Sequence, residues 1–324
     1  MSKVVRSIFF ASRPVNLVII VLAMMATRYG ILQSLISPLE FELQSSNVQF
    51  YILVLSTVLI AAAGNLINDY FDTKIDSINH PKKMIVGVSL KPVWAIAGHL
   101  VFSSIGIILG AWVAWQSGMW YLALFPLIAS FILWFYSASA KRTLLVGNVL
   151  VALLAGSVIM EVGLFEINQL RFFYLADLYK MLDGNPNGYT PEGYFNILWL
   201  WVASFAFFAF WYNIIREILK DWQDMKGDSS VNSQTFPLVF GVPATRVVLI
   251  VLLIFGLAFL GGMWFVFLGD SISGGYFGLI FLLTGGVYYF LRGSSLNLAK
   301  ASLALKLIMV MGILFGGIIR FILV

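Results

Sequence analysis

Nine apolar stretches of about 20 residues run through this chain, and they constrain its fold more than any other feature. A hydrocarbon core ~30 Å thick takes about 20 residues of apolar helix to cross. The stretches lie at roughly 14–36, 48–68, 92–115, 119–139, 144–163, 194–215, 246–268, 273–291 and 301–323. Of the 324 residues 60% are hydrophobic and only 11% charged, against about a quarter charged in an ordinary soluble domain. Such a chain cannot coat a globule in water, and it is too apolar to stay disordered. The expected fold is all-α: a polytopic membrane protein of nine transmembrane helices, with residues 1–324 forming one integral-membrane domain. The absence of cysteine excludes disulfides, thiolate metal sites and a cysteine nucleophile. Two histidines, His80 and His99, cannot by themselves build a multi-histidine metal site.

Lysine and arginine set the orientation. With the N-terminus inside and nine crossings, the inner segments hold 16 of the 20 basic residues. Only Arg28, Arg171, Lys180 and Arg320 fall outside or near the outer ends. That asymmetry is the positive-inside pattern, so the net charge of +5 reads as membrane topology and not as nucleic-acid binding. It places the N-terminus on the cytoplasmic side; the expected setting is the cytoplasmic membrane of a prokaryote. One outer connection, 164–193, is long. Leu170, Phe173, Tyr174, Leu178 and Met181 recur there at helical spacing, and Asp183-Gly184-Asn185-Pro186-Asn187-Gly188 reads as a turn. A structural strap over the bundle accounts for this connection; an interfacial amphipathic helix is the other reading.

Carboxylates are scarce near membrane spans and usually functional. The chain has 15 Asp and Glu, and two inner segments concentrate them. At 100° per helical residue, Asn68, Asp69, Asp72 and Asp76 lie at about 300°, 40°, 340° and 20° from Asn65, on one face. Relative to Asp221, Glu217, Asp224 and Asp228 lie at about 320°, 300° and 340°, again one stripe. Each stripe continues a span past its inner end, the second and the sixth. Setting Asn68 against Glu217 also sets Asp72 against Asp221, a faint sign of internal duplication.

Two facing acidic stripes suit Mg²⁺, a hard cation held by a few carboxylates, water and substrate phosphate. The metal would neutralise a diphosphate so that it can leave, and the apolar bundle would house a hydrocarbon tail. The neighbouring Lys74, Lys82, Lys83, Lys141, Arg142 and Lys220 would clamp phosphate oxygens. Tyr70, Tyr136 and Tyr212 could stabilise a carbocation by cation–π attraction, although lipid contact explains most of the chain's aromatic residues. His99, inside a span, reads as a helix-packing hydrogen bonder.

With these residues in view, the sequence resembles the UbiA family of intramembrane prenyltransferases. Its first motif, NDxxDxxxD, is matched by Asn68, Asp69, Asp72 and Asp76; its second, DxxDxxxD, by Asp221, Asp224 and Asp228. A YSxxxKR signature followed by GN appears as Tyr136-Ser137 through Lys141-Arg142, then Gly147-Asn148. Arg13-Pro14-Val15-Asn16 looks like the family's opening. Arg216-Glu217-Ile218-Leu219-Lys220-Asp221, with Gly227-Asp228, looks most like the geranylgeranylglycerol-phosphate geranylgeranyltransferase branch. One segment departs from the family pattern. Where arginines and a second proline are usual, this chain has Asn79-His80-Pro81-Lys82-Lys83-Met84, and lysine keeps the charge but loses the bidentate fork. His80 could contact phosphate, but a loop histidine with no partner is more often structural.

The resemblance implies a nine-helix fold and Mg²⁺-dependent transfer of a prenyl group from a polyprenyl diphosphate to a lipophilic acceptor among membrane lipids. The branch favours a glycerophosphate-lipid hydroxyl; an aromatic acceptor of the 4-hydroxybenzoate, quinone or chlorophyll type is the alternative. It implies Asn68, Asp72 and Asp76 as metal ligands on one side and Asp221, Asp224 and Asp228 on the other. Asp72, Asp76, Asp221, Asp224 and Lys141 become candidate catalytic residues. Arg13, Asn16, Asn65, Asn68, Asp69, Tyr136, Arg142, Asn148, Arg216 and Lys220 become candidate substrate-binding residues. The rival from another class is a cation-coupled transporter, but its site would lie near the bilayer midplane on broken helices. A CDP-alcohol phosphotransferase would carry a DG-x₂-AR run that this chain lacks.

Overall fold

A computed structural model describes residues 3–183, 190–292 and 297–323. Among them, nine helices are long and apolar enough to cross a membrane. They are α1 (Pro14–Leu39), α2 (Asn47–Phe71), α3 (Pro92–Gln116), α4 (Trp120–Ala138), α5 (Val146–Leu182), α6 (Pro191–Ser229), α7 (Phe236–Leu268), α8 (Ser271–Leu291) and α9 (Leu298–Ile318). No β-strand occurs among the described residues. The expected spans and the observed helices agree throughout, apart from their ends.

Local chemistry sets many of those ends. Ser46 and Gln49 form a reciprocal capping box at the start of α2. Pro14, Pro92 and Pro191 occupy first-turn positions, where a missing N–H costs nothing. The Thr190 hydroxyl accepts from the Gly193 N–H, and Asn297 caps α9. In α1 the segment Ala26–Leu32 widens into a π-helical turn that carries Arg28.

The helices pair as α2 with α3, α5 with α6, and α8 with α9, and α9 also packs on α1 and α6. Where α1 meets α9 the backbones nearly touch: a Cβ on Gly30 would lie 2.0 Å from the Gly316 carbonyl oxygen. Small residues permit such approach in membrane bundles. One core gathers Met24, Phe50, Leu53, Val162, Phe165 and Leu198; a second gathers Tyr212, Ile215, Leu249, Val287 and Leu305. Ile108, Val251, Ile254, Phe281 and Leu282 instead face outward, which is what a helix bathed in hydrocarbon requires.

The long connection packs on the bundle, as the strap reading expects, but as a continuation of α5. The helix α5 does not end near residue 163 but runs on to Leu182 without a break. It has 37 residues and α6 has 39, lengths of about 55 and 58 Å, well beyond the ~30 Å hydrocarbon core. Leu170 and Leu178 are buried within this extension, while Phe173 and Met181 are exposed. The apolar periodicity therefore marks packing against the protein and not a lipid-facing helix of its own. Of the expected turn Asp183–Gly188, residues 184–188 lie outside the described residues. At its other end α6 runs on to Ser229 and carries Asp221, Asp224 and Asp228 to the start of α5, where Asn148 meets Asp221.

Candidate active site

Both acidic motifs come to one end of the bundle, but the first is bent. The helix α2 stops at Phe71, Asp72 sits at φ −88° and ψ −1°, and a separate short helix, Thr73–Asn79, follows. Asn68, Asp72 and Asp76 turn toward a polar cavity of about 480 Å³. Asp221, Asp224 and Asp228, from the C-terminal end of α6, line the same cavity.

Asn79 joins the two motifs. Its Nδ2 donates to the Asp224 carbonyl at 2.9 Å, and its Oδ1 accepts from the Gly227 N–H at 2.9 Å. Gly227 is required for that approach, because a Cβ there would lie 2.4 Å from Asn79 Nδ2 and 2.9 Å from the Ile75 carbonyl oxygen. Asn148, at the start of α5, donates to Asp221 Oδ2 at 2.8 Å. Lys141 reaches from the loop after α4, donating to Asp72 Oδ1 and, at 3.3 Å, to Asn68 Oδ1. The Asn68 amide donates to Asp72 Oδ2 at 2.8 Å. Burial pulls the Lys141 ammonium below its ordinary value, against the opposing pull of Asp72. Burial pushes the Asp76 carboxyl up to about 6, and the nearby Asp72 and Asp69 carboxylates add to that rise.

Arg13, Asn16, Tyr136, Arg142, Asn148, Arg216 and Lys220 also line the polar cavity. Two expected members do not. Asp69 accepts from Arg13 Nη2 at 2.6 Å, and Asn65 donates to the Ser12 carbonyl at 2.9 Å. Both face the start of α1, on the far side of the arc that the helical projection spans, where they hold the N-terminal segment. The Arg13 backbone stands at φ 57° in the left-handed region, a conformation its side-chain bond to Asp69 helps to fix. Asn65 lines a different, apolar cavity. Glu217 pairs at 2.7 Å with Arg216 and at 4.0 Å with Lys220, and does not line the polar cavity. Tyr70 and Tyr212 line neither cavity, and Lys74 turns to the Ser230 carbonyl at 3.3 Å. His99 Nδ1 lies 3.1 Å from the Ala63 carbonyl oxygen, the helix-packing contact expected of it.

Sequence reasoning undervalued three cavity residues. His80 Nε2 lies 3.0 Å from Asp224 Oδ1, so this loop histidine has a partner after all. Ser233 and Lys306 line the polar cavity as well. The asparagine beside His80 was the available signal for the first, since it ties that turn to the second motif. Lys306 offered only one charge in an apolar span.

The apolar cavity, about 300 Å³, runs between α1, α2, α4, α5, α6 and α9. Ile20, Ala129, Leu133, Val158 and Phe208 line it, and Asn16, Arg216 and Lys306 border both cavities. The polar donor set is made of carboxylate and amide oxygens, with no soft ligand. Among the described residues no three His, Cys, Asp or Glu side chains converge closely enough to hold a metal alone. Such a set fits Mg²⁺, which keeps water and takes further oxygens from phosphate.

Membrane-length helices, six of them around an apolar cavity that shares lining residues with a chamber of facing acids and cations, describe an integral membrane enzyme for an amphiphile with an anionic head. The chain matches the UbiA prenyltransferase family over residues 17–314 and belongs to that family. It is similar to the digeranylgeranylglyceryl phosphate synthase of Methanospirillum hungatei, 31% identical over 236 residues, which cover 72% of this chain and 68% of that one. The fold is similar to a solved digeranylgeranylglyceryl phosphate synthase at a TM-score of 0.63 and 18% identity, over 99% of both chains. It is also similar to a UbiA homologue from Archaeoglobus fulgidus bound to DMAPP and Mg²⁺, at a TM-score of 0.60 and 16% identity, over 96% of this chain and 98% of that one.

Proposed function

We propose that this enzyme transfers the prenyl group of a polyprenyl diphosphate to the hydroxyl of a glycerophosphate lipid, at a site on the cytoplasmic side of the membrane. The observation that carries this reading is the junction of the two cavities. A polar chamber walled by Asn68, Asp72, Asp76, Asp221, Asp224 and Asp228 shares Asn16, Arg216 and Lys306 with the lining of an apolar one. A diphosphate head and its hydrocarbon tail need those two environments side by side.

The facing acids would hold Mg²⁺ with the diphosphate oxygens, and the metal supplies charge neutralisation that turns the diphosphate into a leaving group. Lys141 and Arg142 approach the same chamber and donate to phosphate oxygens. Lys141 also pairs with Asp72, which holds its ammonium at the chamber wall. The apolar cavity keeps water from the tail and from the allylic carbon as its bond to oxygen lengthens. The relatives that carry the synthase name point to the glycerophosphate acceptor, whose hydroxyl would attack that carbon.

Purified protein in lipid vesicles, given geranylgeranyl diphosphate and Mg²⁺, should convert a geranylgeranylglycerol phosphate acceptor to the doubly prenylated product by mass spectrometry. EDTA should stop the conversion and added Mg²⁺ restore it. Product from 4-hydroxybenzoate alone would overturn the acceptor assignment, and turnover in EDTA would overturn the role of the acids.

A further inference from the structure

Apart from Arg142, which follows Lys141 in the chain, the cations around the polar cavity fall into two sets. One set is matched with acids. Lys141 pairs with Asp72, Arg13 with Asp69, Lys220 with Glu217, and His80 faces Asp224. The second set, Lys83, Arg216 and Lys306, gathers from three separate elements. Lys83 stands in the loop after the short helix, Arg216 on α6 and Lys306 on α9. All three line the polar cavity, and Arg216 and Lys306 also border the apolar one. Among the described residues, no carboxylate comes within ion-pair distance of Lys83 or Lys306. The charged neighbours that act on the Lys306 ammonium are Arg216 and Lys83, both of its own sign. Arg216 has one partner, Glu217, which it shares with Lys220.

Lys83 and Lys306 have no acid beside them and Arg216 has only the shared Glu217; like charges so placed repel, and they are tolerated where an anion joins them. This place is specific. Arg216 and Lys306 line both cavities, so an amphiphile with its tail in the apolar one would leave its head beside them. The diphosphate head of the donor belongs among the aspartates, which require Mg²⁺ to accept an anion at all. A phosphomonoester needs no metal here, because the three side chains already supply the positive charge.

We propose that Lys83, Arg216 and Lys306 form a second, metal-independent anion site that binds the phosphate of the acceptor lipid and sets its hydroxyl against the donor carbon. The assignment rests on the glycerophosphate reading above and deepens it. It also gives the acceptor phosphate a purpose, since an aromatic acceptor without phosphate would leave this cluster unmatched.

Two measurements separate failure of this assignment from failure of the reading beneath it. The first is equilibrium binding of geranylgeranylglycerol phosphate to the full chain in nanodiscs containing EDTA, where no turnover is possible. The wild-type chain should bind it. The alcohol lacking phosphate should not compete, and Lys306→Met should weaken binding by about tenfold or more, the scale of one charge-assisted hydrogen bond. Lys306→Arg should restore it. Binding that requires Mg²⁺, or that the dephosphorylated alcohol matches, would overturn the site. The second is steady-state turnover with Mg²⁺ and geranylgeranyl diphosphate. Lys306→Met should raise KM for the phosphorylated acceptor while KM for the donor stays put. A rise in donor KM instead would assign these cations to the diphosphate and overturn the proposal. Prenylation of 4-hydroxybenzoate alone, with phosphate-dependent binding intact, would refute the reaction proposed above and leave the anion site standing.

Discussion

Two ion pairs at opposite ends of the bundle use the same chemistry under different conditions. At the end away from the acids, Arg28 in α1 meets Glu166 in α5 at 3.0 Å, with both side chains only 1% exposed. Arg28 also donates to the Ser45 carbonyl and, at 3.2 Å, to the Tyr29 hydroxyl, and its guanidinium lies 4.5 Å from the Phe50 ring centre. Lys141 and Asp72 also pair, but their side chains are 9% and 14% exposed and face a cavity. The first pair is closed inside the protein. It joins α1 to α5 and the loop before α2, and no ligand can take the place of either partner without entering the core. The second pair stands at the edge of a chamber, where an incoming anion and cation can each replace one partner. Burial without a chamber makes an ion pair a fastening; burial beside one makes it an exchangeable pair.

The largest effects should come from the exchangeable end. Asp72→Ala and Asp221→Ala should each lower turnover on the order of 10⁴-fold, the scale seen when an essential charged group is removed. Thermal unfolding in detergent should move little, since both side chains face the cavity. A variant that unfolds yet keeps wild-type turnover in its folded fraction would erase the distinction between the two ends.

The closed end should respond in the opposite way. Arg28→Met strands the Glu166 carboxylate in the core, and breaking a buried pair from one side costs about 3–5 kcal/mol. Unfolding should come earlier, while turnover per folded molecule holds. Removing both partners in Arg28→Met with Glu166→Leu should recover most of that loss, because an apolar pair of similar volume is often no worse. If the double variant stays as unstable as the single one, the hydrogen bond to Ser45 and the contact with Phe50 matter more than the charge pair.

How much of this was legible in the sequence follows from the same physics. The spans were readable because a bilayer imposes one length on every crossing helix, and because acids stand out against an apolar background. The chamber residues Asn68, Asp72, Asp221 and Asp228 share helical phase and so could be found by counting. Asn65 and Asp69 could not be separated from them that way. The arc they all occupy is about 100° wide, and only the position of Ser12 and Arg13 decides which edge faces the chamber. The break at Asp72 was equally hidden, since no glycine or proline marks it. The extension of α5 escaped because its apolar spacing is the same whether the covering surface is lipid or protein. Lys306 escaped for a plainer reason: one lysine in an apolar span acquires meaning only when α9 folds beside α6.

The smallest of these effects is the most discriminating test of exchange. Burial, with Asp72 and Asp69 nearby, raises the Asp76 carboxyl from 3.8 to about 6. Its folded pKa thus exceeds the unfolded one, so the folded chain holds the proton more tightly, and metal-free stability falls as pH rises from about 4 to about 6. Metal binding runs against that proton. Above about pH 6 the Asp76 carboxylate is free; below it, a metal bound there must displace its proton. The Mg²⁺ concentration for half-maximal turnover should therefore climb about tenfold per pH unit below 6, with donor saturating throughout. Asp76→Asn removes one titrating group and should make that slope shallower while weakening metal binding at every pH. At the closed end Arg28 and Glu166 face no exchanging ligand, so Arg28→Met should leave the slope unchanged. If Asp76→Asn keeps the full slope, the proton that competes with the metal sits on another acid of the chamber.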